Sequence, residues 1–199
     1  MHAPHDPTPE WIKKISDMHL FDDGWNKLRD TIFANQKRLG VIPQDAKLTP
    51  WPDFLKNWDQ LTPDEKKLFI RQADVFAAYW AYSDHEIGRV IDEIQKMGEL
   101  DNTLIIYIAG DNGSSAEGTL VGTPNEVASL NGLELPVEHV WGTDQTYAHM
   151  AVPWTWRSAH RSRGPSRSRR ISAERDKGWR SRGPRSSRTR VASATSSLT

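Results

Sequence analysis

Apolar residues recur at helical spacing in two stretches of this chain and run together in a third. The first stretch follows Asp22-Asp23, either of which can cap a helix running to about Leu39. Trp25, Leu28, Ile32 and Leu39 lie near one face of that helix, and Gly40 is placed to end it. The second opens on Thr62-Pro63-Asp64-Glu65, which offers an acceptor at the N-cap, proline in the first turn and a glutamate three residues on. Leu68, Val75, Phe76, Tyr79, Trp80, Ile87, Val90, Ile91 and Ile94 continue at helical spacing to Gly98. After the turn Asp101-Asn102-Thr103, the run Leu104–Ala109 is almost wholly apolar and reads as a strand buried on both faces. It stops at Gly110-Asp111-Asn112-Gly113. Long helix, tight turn, buried strand and polar loop make half of a doubly wound unit. The pattern therefore predicts an α/β fold, part of a doubly wound, mostly parallel sheet, with ligands gathering at the C-terminal ends of strands.

Elsewhere the pattern is weaker. Residues 1–10 hold three prolines and two histidines and read as extended loop, and residues 41–61 as loop punctuated by proline. Residues 113–156 show no strong periodicity, and no internal repeat is visible.

Charge divides the chain of 199 residues more sharply than its net value of zero suggests. Residues 157–199 carry twelve Arg and one Lys against Glu174 and Asp176, a net +11, which leaves −11 on residues 1–156. This tail is Arg, Ser and Gly with few large apolar residues, so by itself it cannot bury enough surface to offset its chain entropy and is expected to be disordered. Two units follow: a partial domain over 1–156 and the tail over 157–199. Cysteine is absent, which excludes disulfides, thiolate metal sites and a Cys nucleophile. No apolar run reaches membrane-spanning length, and residues 1–7 lack the apolar stretch of a signal peptide, so no membrane partner is expected. The compartment of the whole protein, cytoplasm or periplasm, stays open.

The pair Asp111-Asn112 carries the most chemical information. A carboxylate and an amide oxygen, adjacent and placed after a buried strand, suit a hard cation such as Ca²⁺ or Mg²⁺. The same Asp-Asn-Gly is also common turn chemistry, and spacing alone leaves the two readings side by side. Asp84, His85 and Glu86 read as a charged helix surface or a helix contact, and His139 and His149 could line a cleft but read better as solvated loop.

The chain's motifs together resemble the sulfatase family, arylsulfatases in particular. Asp101-Asn102-Thr103-Leu104-Ile105-Ile106-Tyr107-Ile108-Ala109-Gly110-Asp111-Asn112-Gly113 resembles the family's strand and metal loop. Tyr82-Ser83-Asp84-His85-Glu86-Ile87-Gly88-Arg89-Val90 is similar to its D-x-x-[VI]-G-R-V helix, and Ala3-Pro4-His5-Asp6-Pro7 to its A-P-H-x-P loop. Gly142-Thr143-Asp144-Gln145-Thr146-Tyr147 resembles a further arylsulfatase segment, and order and spacing agree across residues 2–156. The resemblance implies a sheet of the alkaline-phosphatase-like class, a small-molecule sulfate ester as substrate, and Ca²⁺ as the cofactor. It makes Asp111 and Asn112 metal ligands and His5 the histidine that contacts the sulfate group.

The resemblance also implies parts that this sequence does not contain. The family's nucleophile is a formylglycine made within a C/S-x-P/A-x-R motif, and that motif is absent here, as are the early Asp pair of the metal site and the Lys and His that follow the nucleophile. Without them the chain is expected to be an inactive internal fragment that folds poorly alone. The resemblance stops at Trp156. Codons chosen to encode Gly164–Pro184 can, read two bases on, also encode T-K-Q-V-A-S-H-F-G-G-T-R-Q-G-M-A-V-S-W-P, which looks like the arylsulfatase sequence expected next. The tail is accordingly read as out-of-frame translation. Two other functions compete: a basic tail binding nucleic acid or another polyanion, and a related metal-dependent phosphatase or phosphonate hydrolase. Nucleic acid is the weaker case, because Trp179 alone interleaves the tail's arginines with an aromatic ring.

Overall fold

A computed structural model of the chain describes residues 4–108, 115, 117–125, 127, 128, 131, 132 and 141–156. Its helices are α1 (Pro9–Ser16), α2 (Gly24–Arg38), α3 (Pro63–Lys96) and α4 (Val152–Trp156), with short 3₁₀ turns at Trp58–Gln60 and Leu100–Asn102. None of the described helices is long and apolar enough to cross a membrane.

The two helices expected from the pattern are present. Asp23 stands at the N-cap of α2 but its side chain caps nothing, while Asp22 pairs instead with His19 at 3.1 Å. At α3 the capping box forms in full. Thr62 Oγ1 accepts from Glu65 N at 3.2 Å, and Glu65 Oε2 accepts from Thr62 N at 2.8 Å. Gly40 and Gly98 end α2 and α3 at φ +70° and +74°. Each closes the paired backbone bonds of a Schellman motif: Gly40 N to Lys37 O with Val41 N to Gln36 O, and Gly98 N to Gln95 O with Glu99 N to Ile94 O.

Residues 4–8 are loop as expected, but helix α1 begins at Pro9, inside the loop expected over residues 1–10. Pro9 occupies its first turn beside Glu10, Lys13 and Lys14 fill its last, and Ile12 and Ile15 are buried against α3. The pattern failed here because the helix is only eight residues long, too short for periodicity to stand out.

The core is built on tryptophan. Trp25 of α2 meets Trp58, Phe69 and Trp154 edge to face, with ring centres 4.9, 5.0 and 5.5 Å apart. Trp154 donates from Nε1 to Phe69 O at 2.8 Å, so the indole is satisfied as well as buried. Gln72, also fully buried, ties α3 to the later segments: its Nε2 donates to Val121 O at 2.8 Å and its Oε1 accepts from Ala151 N at 3.0 Å. Leu39, expected on the buried face of α2, is exposed, because the helix's final turn lies beyond the elements that cover Trp25.

The expected strand differs most. Leu104–Ile108 adopts no regular structure and is open to solvent, with Leu104 74% and Ile108 86% exposed. A strand apolar on both faces forms only between sheet neighbours with helices above and below. Among the described residues, pairing is limited to two isolated bridges, Thr123 with His149 and Asn125 with Tyr147. The described part is thus helical, without the parallel sheet that the pattern predicted. Ala109 and the division at Trp156 with its tail lie at or outside the edge of the described residues.

Candidate functional site

His5 is anchored rather than dangling in its proline-flanked loop. Its N–H donates to Ala148 O at 3.2 Å, and the side chain is buried. The ring stands edge-on to Phe76, 4.8 Å away, and tilted to Tyr79 and His149 at 5.6 and 5.3 Å. Phe76 and Tyr79 are three residues apart on α3, so they share a helix face and form one wall.

His149 is the opposite wall, and burial there overturns the expectation of a solvated loop. It is 2% exposed. Its N–H donates to Thr123 O at 2.8 Å and its carbonyl accepts from Thr123 N at 2.9 Å, so both backbone groups are held. Its Nδ1 lies 3.2 Å from Met150 O. Gly118 passes so close that a Cβ there would sit 2.5 Å from Nδ1 and 2.0 Å from Met150 O, an approach only glycine permits.

A cleft of about 790 Å³ opens between α1, α3 and the turn at Gly142–Asp144, lined by Asp6, Thr8, Lys13, Ser16 and Arg71 among others; neither His5 nor His149 is part of its lining. Arg71 donates from Nε to Trp141 O at 3.1 Å, and burial draws its guanidinium below the ordinary pKa while the charge of Asp74 opposes that shift. Burial pushes the Asp74 carboxyl up, against the lowering effects of the Ser16 hydroxyl at 2.7 Å and of Arg71. Asp6, at the cleft wall, is raised by the same loss of solvent.

The structure therefore brings His5 together with His149, Phe76 and Tyr79. Asp111, Asn112 and His139 lie outside the described residues. Asp84 and His85 are exposed on α3, and Glu86 pairs with Arg89 at 2.6 Å, in keeping with a charged helix surface. Sequence reasoning offered His149 as a cleft residue but preferred solvated loop. No periodic signal marks it: Tyr147 is exposed, whereas Ala148, His149 and Met150 are all buried in succession.

His5 of the A-P-H-x-P loop and the Asp84–Val90 stretch of α3 lie on the elements described above. A match to the sulfatase family extends over residues 1–153, more than half of the chain, and the chain belongs to that family. An uncharacterized sulfatase of Schizosaccharomyces pombe is 39% identical over 123 residues, which cover 60% of this chain and 21% of that protein. An arylsulfatase of Klebsiella aerogenes is 31% identical over 119 residues, 58% of this chain and 25% of that enzyme. The chain thus spans about a fifth to a quarter of the length of these relatives.

Proposed function

We propose that the protein to which this chain belongs hydrolyses sulfuric esters, R–O–SO₃⁻ to alcohol and sulfate. The observation that carries the reading is the family match over residues 1–153, within which His5 of the A-P-H-x-P loop is buried and fixed between Phe76, Tyr79 and His149. An imidazole held in this way loses little freedom on donating a hydrogen bond to a sulfate oxygen. His5 is this chain's catalytic-site residue in the proposal, and Asp111 and Asn112 are its metal ligands.

Ca²⁺ takes about six to eight oxygens, of which Asp111 and Asn112 offer two side chains. No group of three or more His, Asp or Glu placed to hold a metal occurs among the described residues. When bound, Ca²⁺ would supply Lewis-acid stabilisation of the sulfate oxygens.

The sequence contains no C/S-x-P/A-x-R segment, so the chain by itself holds no group to form a sulfoenzyme intermediate. With 4-methylumbelliferyl sulfate and Ca²⁺, the chain should release no fluorophore above a His5→Ala control. Turnover above that control contradicts the fragment reading. The tail from Arg157 is proposed to be out-of-frame translation, a reading supported by the family match ending at residue 153. Sequencing the DNA over codons 150–199 and several hundred bases upstream should reveal an indel near codon 156 and a formylglycine motif in frame. The repaired gene should then cleave sulfate esters. Cleavage of phosphate but not sulfate esters would support a phosphatase instead.

A further inference from the structure

The cleft between α1, α3 and the Gly142–Asp144 turn is lined by charges of both signs that do not neutralise one another. Lys13 is taken by Asp17, at 2.6 Å. Arg71 is held at one corner only. Its Nε donates to Trp141 O at 3.1 Å, while its two terminal amino groups make no hydrogen bond among the described residues and keep access to solvent. The carboxylate whose charge Arg71 feels is Asp74, which accepts from the Ser16 hydroxyl at 2.7 Å and is not part of the lining. Asp6 and Asp144, which are part of it, pair with no cation among the described residues. Burial alone raises the Asp6 carboxyl, with no positive charge to hold it down.

Gly142 holds these groups to one cleft. Its φ of +77° lets the turn close on α3, where a Cβ would stand 2.6 Å from Val75 Cγ2 and 3.5 Å from Arg71 Nη2. Asp144 follows two residues later, on the same lining as the guanidinium, and Pro7, Pro9 and Ile12 add an apolar wall. A simple anion here would meet two free carboxylates, and a simple cation would meet Arg71. A ligand that carries both charges satisfies both. Because Arg71 pairs directly with neither Asp6 nor Asp144, the ligand's charges must be separated too. An extended dipeptide holds its ammonium and carboxylate at most about 7 Å apart.

We infer that the cleft binds a short peptide with free ends and apolar side chains. The peptide carboxylate sits on the terminal amino groups of Arg71, the ammonium on Asp6 and Asp144, and the side chains against Ile12 and the two prolines. The guanidinium is already oriented by Trp141 O, so little freedom is lost on pairing. A volume of about 790 Å³ accommodates a ligand of this size. The site is separate from His5 and does not depend on the sulfatase reading.

The full chain is titrated by calorimetry with three probes that share one apolar body: leucyl-leucine, its N-acetyl derivative without the ammonium, and its amide without the carboxylate. Leucyl-leucine should bind at one site, and each derivative at least about tenfold more weakly, since each loses a charge-assisted contact. Asp144→Asn, in an exposed turn, should weaken leucyl-leucine and leave the N-acetyl derivative unchanged. Arg71→Gln should weaken leucyl-leucine to the level of the amide. Arg71 also tethers Trp141, so the probe series on the unaltered chain stands as a test independent of any loss of folding. By NMR, leucyl-leucine should shift the amides of Gly142, Thr143 and Asp144. Equal affinity for leucyl-leucine and either derivative, or no shift of those amides at millimolar peptide, overturns the proposal.

Discussion

The two halves of helix α3 carry similar apolar patterns and meet opposite fates. Up to about Tyr82, Phe69, Ala73, Val75 and Ala78 are buried in one cluster with Ile12 and Ile15 of α1, Trp25 of α2, Trp58 and the segments before α4. Beyond it Ile87 and Val90 are 40% and 62% exposed, and the adjoining Leu104–Ile108 is open along its length. Helical spacing selects a face but not whether anything covers it. The first half finds Trp154, Trp25 and Trp58, whereas the second, although His85 meets the Trp11 ring at 5.3 Å, leaves Ile87 and Val90 largely open. The relatives are four to five times longer than the stretch they share with this chain, and such a limb is the part whose neighbours a longer chain would supply.

The contrast can be broken hardest at the tryptophans. Trp154→Ala removes the ring that joins Phe21, Trp25 and Trp58 and leaves Phe69 O without its donor, so urea unfolding should show a loss of about 3–5 kcal/mol. A loss below about 1 kcal/mol would mean that the aromatic cluster does not hold this region. On the other side, an apolar segment with open backbone edges is a template for association. Ile106→Lys should slow aggregation severalfold by light scattering while leaving the melting temperature unchanged, because Ile106 is 71% exposed.

Smaller effects sharpen the same division. Thr62→Ala removes one arm of the capping box at the buried end of α3 and should cost about 0.5–2 kcal/mol in the melt. Asp74 gives a pH test. Its folded carboxyl is raised above the ordinary value, chiefly by burial, so its contribution to stability is full below the unfolded aspartate value and is lost as pH rises through the folded one. The melting temperature of Asp74→Asn relative to the parent chain should therefore climb as pH rises from the ordinary aspartate range. A difference flat with pH would remove Asp74 as the cause. Val90→Ala, on the bare half, should change stability by less than about 0.5 kcal/mol.

What could be read from the sequence follows from how local each signal is. The capping box at Thr62 and the glycine stops at 40 and 98 are fixed by neighbours within one turn, and all three are found in place. His5 and the wall residues Phe76 and Tyr79 were visible as residues but not as a constellation, because contacts across about seventy positions leave no periodic trace. His149 was misread for a related reason: its burial depends on Thr123, Gly118 and the His5 loop arriving from three other parts of the chain. Leu104–Ala109 shows the converse. Its composition states what surroundings the segment needs, and the described part of this chain does not provide them.

Amide hydrogen exchange on the full chain tests the division most directly, because protection reports local opening residue by residue. The account predicts slow exchange for amides of α3 near Phe69–Ala78 and for Ala151 and Trp154, whose N–H groups donate to Gln72 and Ala151. It predicts near-unprotected exchange over residues 104–108 and weak protection in α3 beyond Ile87. Uniform protection along the whole of α3 and through Ile108 would contradict it, and so would uniform loss of protection at both ends.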